Sequence, residues 1–129
     1  MTRLVFDTSA IVKILASPAR TIYLANILQT HKLYTSDYIR DEVARVLVGK
    51  FGKTKPRAKS ITRAYAKVCT IIKPANTHQR VRDCSDQPII NLCIEASAKI
   101  LVSDDKDLLS ATIPNCRVIT FAKFWASQE

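Results

Sequence analysis

Glycine is scarce in this sequence: among 129 residues it occurs only at Gly49 and Gly52. A phosphate-binding loop needs several glycines at fixed spacing, because its backbone must approach the phosphate closely. Both the P-loop and the Rossmann dinucleotide fingerprint are therefore excluded. No apolar run reaches the about 18 residues of a membrane-spanning helix, and the first residues lack the layout of a secretion signal. We expect a cytoplasmic protein without a membrane partner.

Cysteine and histidine are also too few and too scattered for a soft-metal site. No Cys-x-x-Cys pair occurs, so neither a disulfide framework nor a zinc site is expected, and we interpret the cysteines as free thiols in the core. The four are Cys69, Cys84, Cys93 and Cys116. His31 and His78 stand alone, which favours surface or structural roles. A metal would have to bind to oxygen ligands.

Length and charge bound the class of protein. A chain of 14.5 kDa with 47% apolar residues can bury one core, so we expect one domain over residues 1–129. Lysine and arginine number 20 against 11 acids, a formal net charge of +9. This excess favours an anionic polymer or surface as partner, although solubility alone is an alternative explanation.

Hydrophobic periodicity predicts strands that alternate with helices. The pattern indicates a three-layer α/β/α sandwich with a mainly parallel central sheet flanked by helices. A basic linker over residues 49–55 separates the two halves. The predicted strands are 2–6, 33–35, 100–103 and 117–119, with an extended segment near 72–75, and the predicted helices are 9–16, 19–30, 37–48, 57–72, 86–97, a short one after 105 and one from 121.

Carboxylates follow two of the predicted strands directly. Asp7 ends the apolar run Leu4-Val5-Phe6, and Ser103-Asp104-Asp105-Lys106-Asp107 follows Ile100-Leu101-Val102. Functional groups of α/β folds gather at the carboxyl ends of parallel strands. Like charges this close disfavour joint ionisation unless a cation lies between them. The pattern predicts a metal cleft, although Asp104 or Asp105 could instead cap the short helix while the other acids are solvated.

Two helical acids add to this set. Glu42 lies three residues after Ile39 and four before Val46, so it shares the apolar face of its helix and needs a cation or hydrogen bonds. Alternatively it reaches solvent or pairs with Arg45. Asp86 precedes a helix and could be its N-cap, a position for which Asp83 and Ser85 compete.

In chain order these motifs resemble the PIN domain family. They are Val5-Phe6-Asp7-Thr8-Ser9, Glu42 within a helix, Asp86-x-x-Ile89-Ile90-x-x-Cys93 and Val102-Ser103-Asp104-Asp105-Lys106-Asp107-Leu108-Leu109. The resemblance covers nearly the whole chain and is strongest to bacterial VapC-like toxins of toxin–antitoxin pairs. It implies a PIN-like sandwich and an endoribonuclease dependent on Mg²⁺ or Mn²⁺.

By position, the resemblance places the family's acidic quartet on Asp7, Glu42, Asp86 and Asp105 as catalytic and metal-binding residues. Ser103, Thr8 and Ser9 match the supporting polar positions. Asp104 departs from the family, whose members often have glycine, asparagine or a basic residue there, so Asp104 and Asp107 are alternate ligands. We expect Asp7 and Asp105 to be direct ligands, and Glu42 and Asp86 to bind a second ion or orient water. Hydrolysis of this kind leaves a 5′-phosphate and a 3′-hydroxyl.

Basic residues offer a path for RNA. Lys59, Arg63 and Lys67 recur every four residues on one face of the helix predicted from Arg57. Lys50, Lys53 and Lys55 precede them, so we predict these six as RNA-binding residues, with Phe51 placed to stack on a base. A solvated helix face is the alternative. The resemblance further implies a cognate antitoxin and a homodimer.

Other functions fit the acids less well. A phosphoacceptor receiver domain needs paired acids after its first strand, and a haloacid-dehalogenase-like phosphatase needs Asp-x-Asp where this chain has Asp7-Thr8-Ser9. Cleavage of DNA by the same acids remains open. So does a catalytically weak RNA-binding or regulatory module of the same fold.

Overall fold

The computed structural model describes residues 1–73 and 86–128, in which strands and helices alternate. The strands are β1 (Thr2–Phe6), β2 (His31–Thr35), β3 (Thr70–Ile71), β4 (Ile100–Val102) and β5 (Arg117–Ile119). The helices are α1 (Thr8–Leu15), α2 (Pro18–Ile27), α3 (Asp37–Phe51), α4 (Lys55–Lys67), α5 (Gln87–Glu95), α6 (Lys106–Leu109) and α7 (Phe121–Ser127).

The five strands form one sheet in the order β3-β2-β1-β4-β5, and every pairing in it is parallel. The central strand β1 pairs on both sides, so Leu4 lies opposite Leu33 of β2 and Ile100 of β4. The predicted α/β/α sandwich with a parallel sheet is confirmed. The chain order reverses between β1 and β4, which is where parallel sheets open a crevice beyond the strand ends.

The core lies on both faces of β1. Leu4, Val5 and Phe6 are fully buried, as expected for a parallel strand covered by helices on each side. The ring of Phe6 meets that of Phe124 of α7 edge to face, with centroids 5.5 Å apart. Each such buried side chain contributes on the order of 2 kcal/mol of hydrophobic stabilisation. This burial fixes the position of the strand that precedes Asp7.

Serine and threonine side chains start four of the helices. Ser17, Ser36, Thr54 and Thr120 each accept a hydrogen bond from the backbone N–H three residues later, at 3.2–3.3 Å. Such caps satisfy an N–H that has no partner inside the helix, and each stabilises by about 1 kcal/mol. They set where α2, α3, α4 and α7 begin.

The predicted end of α3 was wrong. The helix continues through Gly49 and Lys50 to Phe51, and it stops at Gly52, whose φ of 65° is the left-handed conformation typical of helix ends. A glycine within a helix costs about 1 kcal/mol relative to alanine, so Gly49 weakens the helix without ending it. The predicted basic linker is therefore partly helical.

The predicted bounds of α4 were also shifted. The helix starts two residues earlier than expected and ends at Lys67, and β3 occupies Thr70–Ile71, where the sequence pattern had predicted helix. Val68, the residue after the helix, is 43% exposed. The extended segment predicted near 72–75 is thus preceded by a strand at Thr70–Ile71.

The remaining expectations concern thiols and histidines. Cys69, Cys93 and Cys116 are free thiols, and Cys93 is buried in the core. His31 packs its ring edge to face against Phe124, 5.7 Å between centroids, in a structural role. The predictions for Cys84 and His78 fall outside the described residues. Within the described ranges, none of the helices has the length and apolar character needed to cross a membrane.

Candidate functional site

The sheet brings Asp7 next to the acids that follow β4. Phe6, the last residue of β1, lies opposite Val102, the last residue of β4. The N–H of Asp7 then donates to the carbonyl of Val102 at 3.1 Å. Segments nearly 100 residues apart in sequence therefore meet at one edge of the sheet, as predicted.

Asp7 is buried and held by three hydrogen bonds. Its Oδ1 accepts from the Ser9 hydroxyl at 2.8 Å and from the N–H of Ala10 at 2.9 Å, and its Oδ2 accepts from the Ser103 hydroxyl at 2.5 Å. Burial nevertheless raises the pKa of Asp7, with a small contribution from the nearby charge of Asp104, and the hydrogen bonds only partly oppose this. A cation would favour its ionised form.

Ser103 connects this carboxylate to the next acid. Its hydroxyl donates to Asp7 and also accepts from the N–H of Asp105 at 3.0 Å. The side chain is completely buried. Ser103 thus fixes the position of Asp7 relative to the backbone of Asp105; its supporting role at a metal site stays a prediction.

Glu42 reaches the same region from α3. Its Oε1 accepts a hydrogen bond from the hydroxyl of Thr8. The glutamate is half-buried, beside the buried face formed by Ile39, Val43 and Leu47. The alternative pairing with Arg45 is not found, since the ion pairs between described residues are Lys13–Asp104 and Arg40–Asp37.

A second group of acids surrounds Asp86. Carboxylate oxygens of Asp86, Asp105 and Asp107 all lie within 4.8 Å of one another. Asp86 occupies the N-cap position of α5 but its side chain makes no capping hydrogen bond, so the capping explanation fails for it. Asp105 does cap α6, because its Oδ1 accepts from the N–H groups of Asp107 and Leu108 at 2.8 and 3.2 Å. Both bonds use the same oxygen, so capping leaves its Oδ2 for the cluster.

Asp104 is not part of this cluster. Its Oδ2 pairs with the ammonium group of Lys13, and its Oδ1 accepts from the N–H of Phe121 at 3.0 Å. The hydrogen bond from Lys13 is the main reason why the pKa of Asp104 lies below its usual value. Asp104 therefore joins α1 to α7, and the geometry favours Asp105 over Asp104 as a metal ligand.

All four predicted acids line one cleft of about 590 Å³, which we call the acidic cleft. Its polar lining includes two of the three supporting residues, Thr8 and Ser9, and two lysines. The residues are Asp7, Thr8, Ser9, Lys13, Glu42, Lys50, Asp86, Asp104 and Asp105, together with Val12, Val46, Phe51 and Ile89. Convergent carboxylates without nitrogen or sulfur ligands match the preference of hard cations such as Mg²⁺ and Mn²⁺. The donor set of this cleft fits such an ion.

The six predicted RNA-binding residues do not lie together. Lys50 lines the acidic cleft, whereas Lys55, Lys59 and Arg63 line a separate groove between α3 and α4. Lys53 borders an apolar groove between α2 and α4, and Lys67 lines none of these three. Lys59, Arg63 and Lys67, which were predicted on one face of a helix, therefore do not all line the same groove.

Sequence reasoning did not place three cations on the surfaces where the structure has them. Lys13 lies almost two turns after Asp7 on α1, and its pairing with Asp104 spans 91 residues, so no local pattern could reveal it. Arg40 and Arg45 of α3 line the groove opposite α4. Their place on a helix with a predicted apolar face was the available signal.

Solved structures with this fold include several toxin–antitoxin proteins. The VapBC2 complex of Rickettsia felis bound to a promoter DNA fragment gives a TM-score of 0.68 at 15% identity, covering 92% of this chain and 98% of that one. VapBC-1 of nontypeable Haemophilus influenzae gives a TM-score of 0.65 at 14% identity, covering 94% of this chain and 99% of that one. VapC20 of Mycobacterium tuberculosis, a toxin that cleaves the sarcin-ricin loop, gives a TM-score of 0.61 at 16% identity. The match covers 88% of this chain and 98% of that one. At these identities the likeness concerns the fold.

Sequence comparison adds the family. No curated protein sequence matches the chain significantly. The family model described as PIN domain matches residues 3–107, which is most of the chain and contains every acid of the cleft. The chain therefore belongs to the PIN domain family.

Proposed function

We propose that this PIN-domain protein is a Mg²⁺- or Mn²⁺-dependent endoribonuclease that acts in the cytoplasm as the toxin of a type II toxin–antitoxin pair. One observation supports the chemistry above all others. Acids from four separate segments, Asp7, Glu42, Asp86 and Asp105, line a single cleft at the carboxyl ends of β1 and β4. Carboxylates packed together repel one another, so a cation is their natural partner.

The ligands divide into two neighbouring groups. Asp86 and Asp105, with Asp107 beside them, would hold one ion, since their oxygens already lie within reach of a common point. Asp7, with Glu42 oriented by Thr8, would complete that site or hold a second ion. A bound divalent ion lowers the pKa of water and offsets charge on the scissile phosphate. No histidine base is then needed.

The protein's own groups position the reactants. Ser103 holds Asp7 and the backbone of Asp105 at a fixed separation, which preorganises the ligands. Lys50 at the edge of the cleft attracts the phosphate, and the ring of Phe51, 46% exposed, is available for stacking on a base. Attack of water on phosphorus with departure of the 3′-oxygen gives a 5′-phosphate and a 3′-hydroxyl.

The toxin assignment is supported by likeness in fold to VapBC complexes and to VapC20. An apolar groove between α2 and α4, lined by Leu24, Leu28, Ile61 and Val68 among others, offers a surface on which an antitoxin could pack. We include a homodimer in the proposal. Light scattering of the purified protein, alone and with the product of a neighbouring gene, tests both associations.

Cleavage of RNA by the purified protein tests the central activity. We expect cutting with Mn²⁺ or Mg²⁺, loss of cutting with a chelator, and loss in Asp7→Asn. Glu95→Gln is the matched control, because this exposed acid lies on α5 outside the cleft. Activity retained in Asp7→Asn would show that another site or a contaminant cuts. Cutting of DNA in preference to RNA would show that the substrate is DNA. RNA binding without any metal-dependent cutting would favour the alternative of an RNA-binding or regulatory module.

A further inference from the structure

A second groove, distinct from the acidic cleft, lies between α3 and α4. It has a volume of about 620 Å³ and is lined by five cationic side chains and one acid, Asp41. We call it the basic groove. Its cations are Arg40 and Arg45 from α3 and Lys55, Lys59 and Arg63 from α4. This concentration of positive charge favours an anion with several negative charges over a single phosphate.

The cations of α4 are regularly spaced. Lys55, Lys59 and Arg63 recur every four residues, and at a rise of 1.5 Å per residue successive charges are about 6 Å apart along the helix. Consecutive phosphates of an extended single strand have a comparable spacing. Arg45 and these three residues form no ion pair within the described part of the chain, whereas Arg40 pairs with Asp37 at 3.1 Å.

The floor of the groove consists of small apolar residues. Ala44, Val48 and Ala58 line it, and Gly49 adds no side chain at its end. A Cβ placed on Gly49 would meet no atom within 4 Å, so the surface there is open. Sugars and bases can therefore approach the floor while the cations reach the phosphates.

The basic groove and the acidic cleft both border α3, and consecutive residues of this helix line one and then the other. Gly49 lines the basic groove and Lys50 lines the acidic cleft. The same neighbouring relation holds earlier in the helix, where Asp41 lines the groove and Glu42 the cleft. Consecutive residues of a helix point about 100° apart, so the groove and the cleft lie on adjacent sides of α3.

We propose that the basic groove binds the sugar-phosphate backbone of single-stranded RNA that continues from the acidic cleft. The inference rests on the proposed function for the identity of the nucleic acid. Asp7 and Asp86 are only 4% and 6% exposed, so a strand must be unpaired to reach them. An acidic peptide is the competing polyanion, but one cation per helical turn matches a phosphodiester chain better than irregular carboxylates.

Binding measurements in a chelator test the groove, because RNA then stays intact. Fluorescence anisotropy compares a short oligouridine that fills only the cleft with a longer one that also spans the groove. The variant is Lys59→Glu/Arg63→Glu, and the control is Lys99→Glu/Lys123→Glu, which makes the same change in net charge at exposed positions outside all these grooves. If the glutamate pair does not fold, Lys59→Gln/Arg63→Gln replaces it.

We expect the groove variant to bind the longer RNA on the order of tenfold more weakly, with the slope of log K against log salt reduced by about 0.7 for each phosphate that the variant no longer neutralises. The control should bind like the unaltered protein, and the short RNA should lose less affinity than the long one. Equal losses in variant and control, or an unchanged slope, would overturn the proposal. So would a variant that loses binding of polyglutamate while keeping that of RNA.

The unaltered protein separates this proposal from the proposed function. If it cuts RNA with Mn²⁺ while the groove variant binds the longer RNA normally, the groove proposal alone is wrong. If it binds the longer RNA through the groove but cuts nothing with any metal, the nuclease proposal is wrong and the groove stands.

Discussion

Ser103 donates a hydrogen bond to Asp7 across 96 residues of sequence, inside the core of the protein. The same hydroxyl accepts from the N–H of Asp105, so one side chain links the acids that follow the two adjacent strands β1 and β4. The relative position of these carboxylates is therefore set by the sheet and by a buried polar contact. Metal affinity should depend on it.

Ser103→Ala should weaken the metal site without removing a ligand. Loss of a group that orients a ligand typically costs about 10- to 100-fold in metal affinity or activity. We expect the Mn²⁺ concentration for half-maximal cleavage to rise, whereas Ser103→Thr, which keeps the hydroxyl, should behave like the unaltered protein. The measurement is the cleavage rate over a Mn²⁺ titration. An Ala variant with an unchanged Mn²⁺ dependence would show that this hydrogen bond has no positioning role.

Asp7→Asn should abolish cleavage and yet stabilise the metal-free protein. Burial raises the pKa of Asp7 above its ordinary value of 3.8, so the folded state holds this proton more tightly than the unfolded chain does. The free energy of unfolding therefore falls as the pH rises from 3.8 through the pKa of Asp7 in the folded state. The Asn side chain is neutral at every pH, so the variant avoids that loss. A rise in melting temperature is expected at neutral pH, disappearing below pH 3.8.

The measurement is thermal unfolding in a chelator over a range of pH, with Glu95→Gln as control. The amide can still accept from the N–H of Ala10. A neutral-pH melting temperature below that of the unaltered protein would mean that the hydrogen bonds of the carboxylate outweigh its desolvation.

Asp105→Asn and Asp104→Asn should have different effects. Added Mn²⁺ stabilises the folded protein only if it binds there, so the unaltered protein should melt at a higher temperature with Mn²⁺. Asp105→Asn should lose most of that increase, and Asp104→Asn should keep it. Asp104 pairs with Lys13 at a partly exposed position, where such a pair contributes about 0–1 kcal/mol.

Lys13→Ala provides the matching variant for this comparison, since it removes the other half of the pair. It should resemble Asp104→Asn in its stability and retain the shift with Mn²⁺. If Asp104→Asn rather than Asp105→Asn loses the shift, the assignment of ligands between these neighbours is reversed.

The sequence was most informative where a local pattern determines the structure. The apolar run Leu4-Val5-Phe6 before Asp7 predicted a buried strand ending in a carboxylate, because a parallel strand covered on both sides must be apolar throughout. The order of acids along the chain then implied one cleft, and the structure brings them to it. Their roles as ligands stay predictions.

Contacts between distant elements could not be predicted in the same way. The pairing of Lys13 with Asp104 and the hydrogen bond from the N–H of Phe121 to Asp104 depend on how α1 and α7 pack beside β4. The end of α3 was misplaced because Gly49 and Gly52 are both plausible stops, and only the left-handed conformation of Gly52 distinguishes them. The extension of α3 places Gly49 on the basic groove and Lys50 on the acidic cleft.

Diffraction from crystals soaked in Mn²⁺, recorded where manganese scatters anomalously, shows whether the acidic cleft binds a divalent ion. We expect an anomalous peak in the acidic cleft, in contact with carboxylate oxygens of Asp105 and Asp86, and the loss of that peak in Asp105→Asn. A peak bound elsewhere, or a cleft without manganese at a concentration that supports cleavage, would contradict this expectation.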